Sequence, residues 1–208
     1  MLMKIYIFPK KPFDYDLFVK GIADNGSIIN EKIEGASESD VSALEELIGA
    51  EIPQDYKEYL LHCNGGMIDP SVTSRNIGMD PKGSINGSDN FGYKTIVVDF
   101  FYSLNKDVIA SLSKMPIEFA PWYLPNAFSQ FNELLQEDDD QFGLQDEILL
   151  PIGDTSPYGL VLSCKGAYQN KVLLLDSNEI PDTPLDNVAL IADSFDDFIQ
   201  SLYYESEI

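Results

Sequence analysis

The side chains able to do chemistry are few and poorly placed for it. His62 is the only histidine of the 208 residues, and it directly precedes Cys63, one of two cysteines. On a helix, neighbouring residues point about 100° apart, so His62 and Cys63 do not face each other as base and nucleophile. His62 reads instead as a half-exposed helix residue. Cys63 and Cys164 lie far apart, with no CxxC and no histidine-rich neighbour to make a zinc site. They read as two reduced core thiols, a structural disulfide being the alternative. Asp80-Pro81-Lys82-Gly83-Ser84 has its glycine and lysine in the wrong order for a phosphate loop, and Gly153-Asp154-Thr155 follows a strand without opening a helix.

What remains is carboxylate. Glu137-Asp138-Asp139-Asp140, followed by Asp146-Glu147, lacks the alternating acids and central glycine of a calcium loop. As glycosidase acids they would have to converge from separate elements across a cleft. A run of this kind is ordinarily a solvated loop, and otherwise a protein-contact surface. Neither a cofactor nor a metal is expected. Trp122, Tyr123 and Phe128 are read first as core, and second as interface aromatics.

Charge sets the class of partner. The formal net charge is −22, with a pI near 4.1. Beyond Lys114 only Lys165 and Lys171 are basic. Phosphates and anionic membrane surfaces would be repelled along the whole C-terminal half, so neither nucleic acid nor membrane is an expected ligand. A basic protein partner is favoured, because complementary fields speed encounter; the bland alternative is solubility. Mean hydropathy of −0.11 is that of an ordinary globular chain. No apolar run is long enough to span a bilayer, and the start is a poor signal peptide, so cytoplasmic residence is the expectation.

The elements that must position these groups centre on Leu47 to Gly66. Val41, Leu44, Leu47 and Ile48 recur at helical spacing, with Ser37 or Ser39 as N-cap and Gly49 as the stop. Pro53 suits the first turn of a second helix, whose stripe is Tyr56, Tyr59, Leu60 and Cys63. Asn64-Gly65-Gly66 ends it, all three being tolerant of left-handed backbone. Before this pair, Lys4 to Phe8 reads as an edge strand, Asp14 to Gly21 as a short helix and Ser27 to Ile33 as extended. After it, Met67 to Gly92 reads as a long loop and Thr95 to Tyr102 as one strand. Ser103 or Asn105 caps a helix through Val108, Leu112 and Met115, and Ala127 to Leu135 forms the next. Ile148 to Ile152 is a strand, with Pro151 arguing that it ends there or lies at an edge, and Tyr158 to Cys164 with Lys171 to Asp176 make a hairpin. Pro181 to Asn187 is loop, and Ser194 caps a last helix burying Phe195, Phe198, Ile199 and Leu202.

The ordered set Leu44-Glu45-Glu46-Leu47, Gly49, Ile52-Pro53, Asp55-Tyr56-Lys57, Tyr59-Leu60 and Asn64-Gly65-Gly66 resembles the SUKH superfamily, which includes fungal cell-wall-assembly regulators and bacterial toxin-immunity proteins. The resemblance extends over roughly residues 37 to 204 through Leu150-Pro151-Ile152-Gly153, Tyr158-Gly159-Leu160, Lys171-Val172-Leu173 and Ser194-Phe195-Asp196-Asp197-Phe198. One departure is Gly159-Leu160, where the family often has Gly-Asp. The expected architecture is α+β: a mostly antiparallel sheet flanked by an N-terminal helix pair and a C-terminal helix. It forms one domain over 1–208, with 1–36 as an N-terminal extension and 115–147 as an insertion.

The resemblance implies a non-enzymatic binding protein: an immunity protein neutralising a toxin, most plausibly a basic nuclease, or else a cytoplasmic regulatory scaffold. A carboxylate-dependent hydrolase is the third reading. Partner contacts are expected at Glu137, Asp138, Asp139, Asp140, Asp146 and Glu147, supported by the helix pair rather than made by it.

Overall fold

The computed structural model describes residues 33–68, 100–113, 116–137, 142–155, 158–176 and 185–204, with the short pieces 5–6, 18–19, 21–22, 28–29, 77–79, 85 and 96–98. In chain order the elements begin with β1 (Ile5–Tyr6), β2 (Phe18–Val19), β3 (Gly21–Ile22) and β4 (Ile28–Ile29). The helix pair α1 (Glu38–Ile48) and α2 (Gln54–His62) follows, then β5 (Met67–Ile68), β6 (Ile77–Met79), β7 (Ile96–Val97) and β8 (Phe100–Phe101). Next come α3 (Lys106–Ser113), a 3-10 turn at Ile117–Phe119 and α4 (Leu124–Glu137). The chain closes with β9 (Ile148–Thr155), β10 (Tyr158–Lys165), β11 (Val172–Asp176), β12 (Val188–Ala192), α5 (Phe195–Ser201) and β13 (Tyr203–Tyr204).

The centre is a five-stranded antiparallel sheet ordered β12-β11-β10-β9-β8. Its inner strands read as continuous apolar runs because both faces are covered. Leu150, Ile152, Leu160, Leu162, Val172 and Leu174 enter the core shared with α1, α2 and α5. Their alternate neighbours Leu149, Val161, Leu173 and Leu175 enter a second cluster, against which Phe131 and Leu135 of α4 pack. A period of two therefore sends successive apolar side chains to opposite cores. The fold is α+β, with helices at both ends of the chain as expected.

The helix pair forms for local reasons. Ser37 caps α1: its Oγ accepts from Asp40 N at 3.2 Å, while the Asp40 carboxylate accepts from Ser37 N at 3.0 Å. The Ser37 hydroxyl, donating to the Asp40 carboxylate at 2.6 Å, and then the Ser37 N–H hold that carboxyl below the usual carboxylate range. Gly49 ends the helix at φ 70°, in left-handed conformation. Tyr56, Tyr59, Leu60 and Cys63 are buried, as their spacing predicts. Leu47 is not: it is 48% exposed, and Val41, Leu44 and Ile48 alone make the inward face of α1. Phe195 of α5 packs edge-on against Tyr56 at 4.7 Å and tilted against Tyr59 at 4.9 Å. Such aromatic pairs contribute about 0.5–1.5 kcal/mol each beyond their burial.

Several segments depart from their sequence reading. Phe18–Val19 and Gly21–Ile22 are strands, not part of a helix, and pair with β5 and β4 respectively. The 67–92 segment contains β5 and β6 rather than loop alone. Thr95–Tyr102 is not one strand, since β7 and β8 belong to different sheets. α4 begins three residues earlier than expected, at Leu124. β9 runs through Pro151 to Thr155, because its ladder with β10 shifts register beside that proline and spares the missing donor. β12, which the sequence reading passed over, forms the far edge of the central sheet. Ile5–Tyr6 does form an edge strand, paired with β13.

Candidate partner-binding surface

The residues that look distinctive in the sequence prove to be fastenings. Asp55 Oδ2 accepts from the backbone N–H of Asp196 at 3.0 Å, tying α2 to the first turn of α5. Tyr56 lies in the aromatic core, and Lys57 Nζ reaches Glu45 at 3.4 Å, tying α2 back to α1. Glu45 also accepts from Ile52 N at 3.1 Å, closing the hinge between the helices. The acid-aromatic-base triplet thus holds three different elements with three adjacent side chains.

Asn64, Gly65 and Gly66 all have positive φ, at 50°, 86° and 103°. Asn64 is buried, accepts from Leu104 N at 2.8 Å through Oδ1 and donates to Glu34 O at 3.4 Å through Nδ2. Gly66 and Phe101 exchange backbone hydrogen bonds of 2.9 and 2.7 Å. A Cβ on Gly65 would lie 2.5 Å from Tyr102 O and 2.8 Å from Phe101 O. The helix stop is therefore also the place where two backbones touch.

Neither thiol is poised for chemistry. Cys63 and Cys164 are free and buried, and burial pushes both thiols up, Cys164 to about 12. His62 lies exposed with Nδ1 2.7 Å from Glu58 O of its own helix. Among the described residues, no group of three or more His, Cys, Asp or Glu side chains could hold a metal ion. Nor, among them, is any helix long and apolar enough to cross a membrane.

Of the six acids expected to contact a partner, Glu137 is the last residue of α4, and Asp138, Asp139 and Asp140 lie outside the described residues. Asp146 is exposed in the turn before β9. Glu147, its neighbour, is half-buried and engaged internally. Its carboxylate accepts from Ser163 Oγ at 2.6 Å, from Ala167 N at 2.5 Å and from Tyr168 N at 3.3 Å. A Cβ on Gly166 (φ 123°) would collide with that carboxylate. Glu147 thus anchors the β10–β11 hairpin, a role with no local sequence signal because its partners lie 16 to 21 residues away.

Exposed aromatic surface lies elsewhere. Between α3 and α4, Phe119 is 62% exposed, the most open large apolar side chain described, and Trp122 is half-buried against Phe100 at 5.7 Å.

The distinctive positions of this α+β fold are thus caps, tethers and close backbone approaches. The chain belongs to the SMI1 / KNR4 family (SUKH-1), whose model matches residues 35–201. That family fits immunity-protein or regulator roles, and it is generally non-enzymatic. A search of curated proteins found no match.

Proposed function

We propose that this chain is a non-enzymatic immunity protein that neutralises a cognate bacterial toxin, a basic nuclease, by binding it directly in the cytoplasm. The observation that carries this reading is the formal charge of −22 on a family frame of this kind, with only two basic residues after Lys114. Acidic segments around Glu137, Asp138, Asp139, Asp140 and Asp146 would occupy the surface with which the toxin meets its own polyanionic substrate. Glu147 would serve that surface by holding the turn that presents Asp146.

The test is capture of the purified product of the adjacent gene by the full chain, repeated at high salt. Binding that weakens as salt rises supports the reading, since rim charges act mainly through screened fields. Strong, salt-insensitive binding to nucleic acid overturns it. The family's regulator members favour a second reading, a cytoplasmic scaffold joining other proteins. Absence of a toxin gene beside this one would favour that alternative.

A further inference from the structure

We infer that the proline- and aromatic-rich segment from Pro116 to Tyr123 is a preformed docking surface on which Phe119 inserts into an apolar pocket of a basic protein. The inference rests on reading the chain as a binding protein, and it adds an anchor to the acidic segments proposed above.

The segment is held from inside. Asn126 Nδ2, on the first turn of α4, donates to both Ile117 O and Ala120 O, so one side chain spans the 3-10 turn. Phe119 N–H bonds to Pro116 O at 2.9 Å, and Ala120 N–H to Ile117 O at 3.2 Å. The C-terminal end is fixed by Ser103 N–H to Trp122 O at 3.1 Å and Leu124 N–H to Ser103 O at 2.9 Å. Lys106 Nζ lies 5.8 Å from the Tyr123 ring centroid, and Trp122 leans on Phe100. Pro116 and Pro121 bracket the turn and fix their own φ.

A tethered turn of this kind loses little conformational freedom on binding, which is what makes an exposed side chain an effective anchor. Leu47, the other exposed large apolar side chain described, has no such setting: it sits singly on α1, and single exposed apolar residues are ordinary. Aromatic residues are enriched at the centres of protein interfaces, where one well-packed side chain dominates the binding energy. The chemistry of the occupant follows from charge. Glu118 is exposed beside Phe119 and Asp107 on α3; Lys106, the basic side chain described at this surface, lies over the Tyr123 ring, and after Lys114 no basic residue follows until Lys165 in a chain of net charge −22. The net charge of −22 favours a partner that surrounds the apolar pocket with Lys or Arg.

The experiment places a benzophenone amino acid at position 119 of the full chain, and separately at position 47, and irradiates living cells. The protein joined at 119 is identified, purified and titrated against the wild-type chain, Phe119→Ala and Leu47→Ala. We expect one basic protein joined at 119 and not at 47. Phe119→Ala should weaken its binding at least about tenfold, while Leu47→Ala changes it less than about twofold. The thermal midpoint of Phe119→Ala should match the wild type, because the ring is mostly in water.

No adduct at 119, an adduct with a second copy of this chain, an acidic protein or lipid, or unchanged affinity of Phe119→Ala overturns the inference. A toxin that binds Phe119→Ala as well as wild type would overturn this surface and leave the immunity reading standing. A basic partner that is no toxin, yet needs Phe119, would do the reverse.

Discussion

Gly49 and Gly65 make a matched pair for testing why the helix stops are glycine. Both have positive φ, at 70° and 86°, so alanine at either meets the same left-handed penalty of about 1–2 kcal/mol. Around Gly49 a new Cβ would find nothing within 4 Å. At Gly65 it would meet two backbone oxygens at 2.5 and 2.8 Å and the Ser103 Cβ at 2.9 Å, none of them the free end of a flexible side chain.

Relieving that clash moves β8 away from Asn64–Gly66. The move endangers the two Gly66–Phe101 backbone bonds and the Asn64–Leu104 bond. At about 1 kcal/mol net for each, Gly65→Ala should cost roughly 4–5 kcal/mol in total, against about 1–2 kcal/mol for Gly49→Ala. Urea unfolding followed by far-UV dichroism measures both, the difference in midpoint being read at constant slope. Equal losses at the two positions would refute the close-approach argument and leave only the backbone angle.

The remaining predictions concern acids. Glu147→Gln keeps the shape but removes the charge that three donors share, and should lower the stability of the domain by about 1–2 kcal/mol by urea midpoint. Asp146→Asn, one residue away and exposed, should leave that midpoint unchanged while slowing association with a basic partner in stopped-flow mixing. Partial burial, then Asp55, Glu58 and Asp197, hold the Asp196 carboxyl above its usual range. With the folded value above the unfolded one, the folded state binds more protons between the two, and stability falls as pH rises through that window. Asp196→Asn should therefore stabilise the protein at neutral pH, by a few tenths of a kcal/mol after allowance for solvent screening. That gain should vanish as pH drops below the ordinary carboxylate range, and midpoints that diverge toward acid pH would refute the assignment.

How much of this was legible follows from how far apart the interacting residues lie. The α1–α2 unit could be read because a capping box spans three residues and an amphipathic stripe repeats every three or four. The same holds for Ser194, whose Oγ accepts from Asp197 N at 3.0 Å. Thr95–Tyr102 reads as one strand because β propensity shows where strands form but not which sheet each half joins; the partners of β7 lie 17 and 19 residues away in register, and those of β8 52 and 54. β12, an apolar run of strand length at Val188–Ala192, lies directly between a loop and the Ser194 cap, whose signals are stronger than its own. Leu47 shows the limit of periodicity, since four apolar positions at helical spacing do not say how wide the buried stripe is. Glu147 and Asn64 were invisible in their roles because each satisfies backbone groups many residues distant.

The inward direction of the motif residues has a consequence for binding. Asp55, Lys57, Glu45 and Asn64 spend their polar groups on joining α1, α2, α5 and the chain just after β8, so they are committed before any partner arrives. In the binding role proposed above, recognition would fall to side chains the frame merely carries, and these divide by physics into two kinds. Exposed acids such as Asp146 would act at a distance, through fields that speed encounter and fade with salt. A tethered aromatic such as Phe119 would act only after contact, by filling a pocket that must empty before the complex can part. Charge substitutions should therefore change the association rate and its salt dependence, whereas Phe119→Ala should raise the dissociation rate and leave association nearly untouched. If Phe119→Ala instead slowed association in a salt-dependent way, the division between steering acids and an aromatic anchor would be wrong.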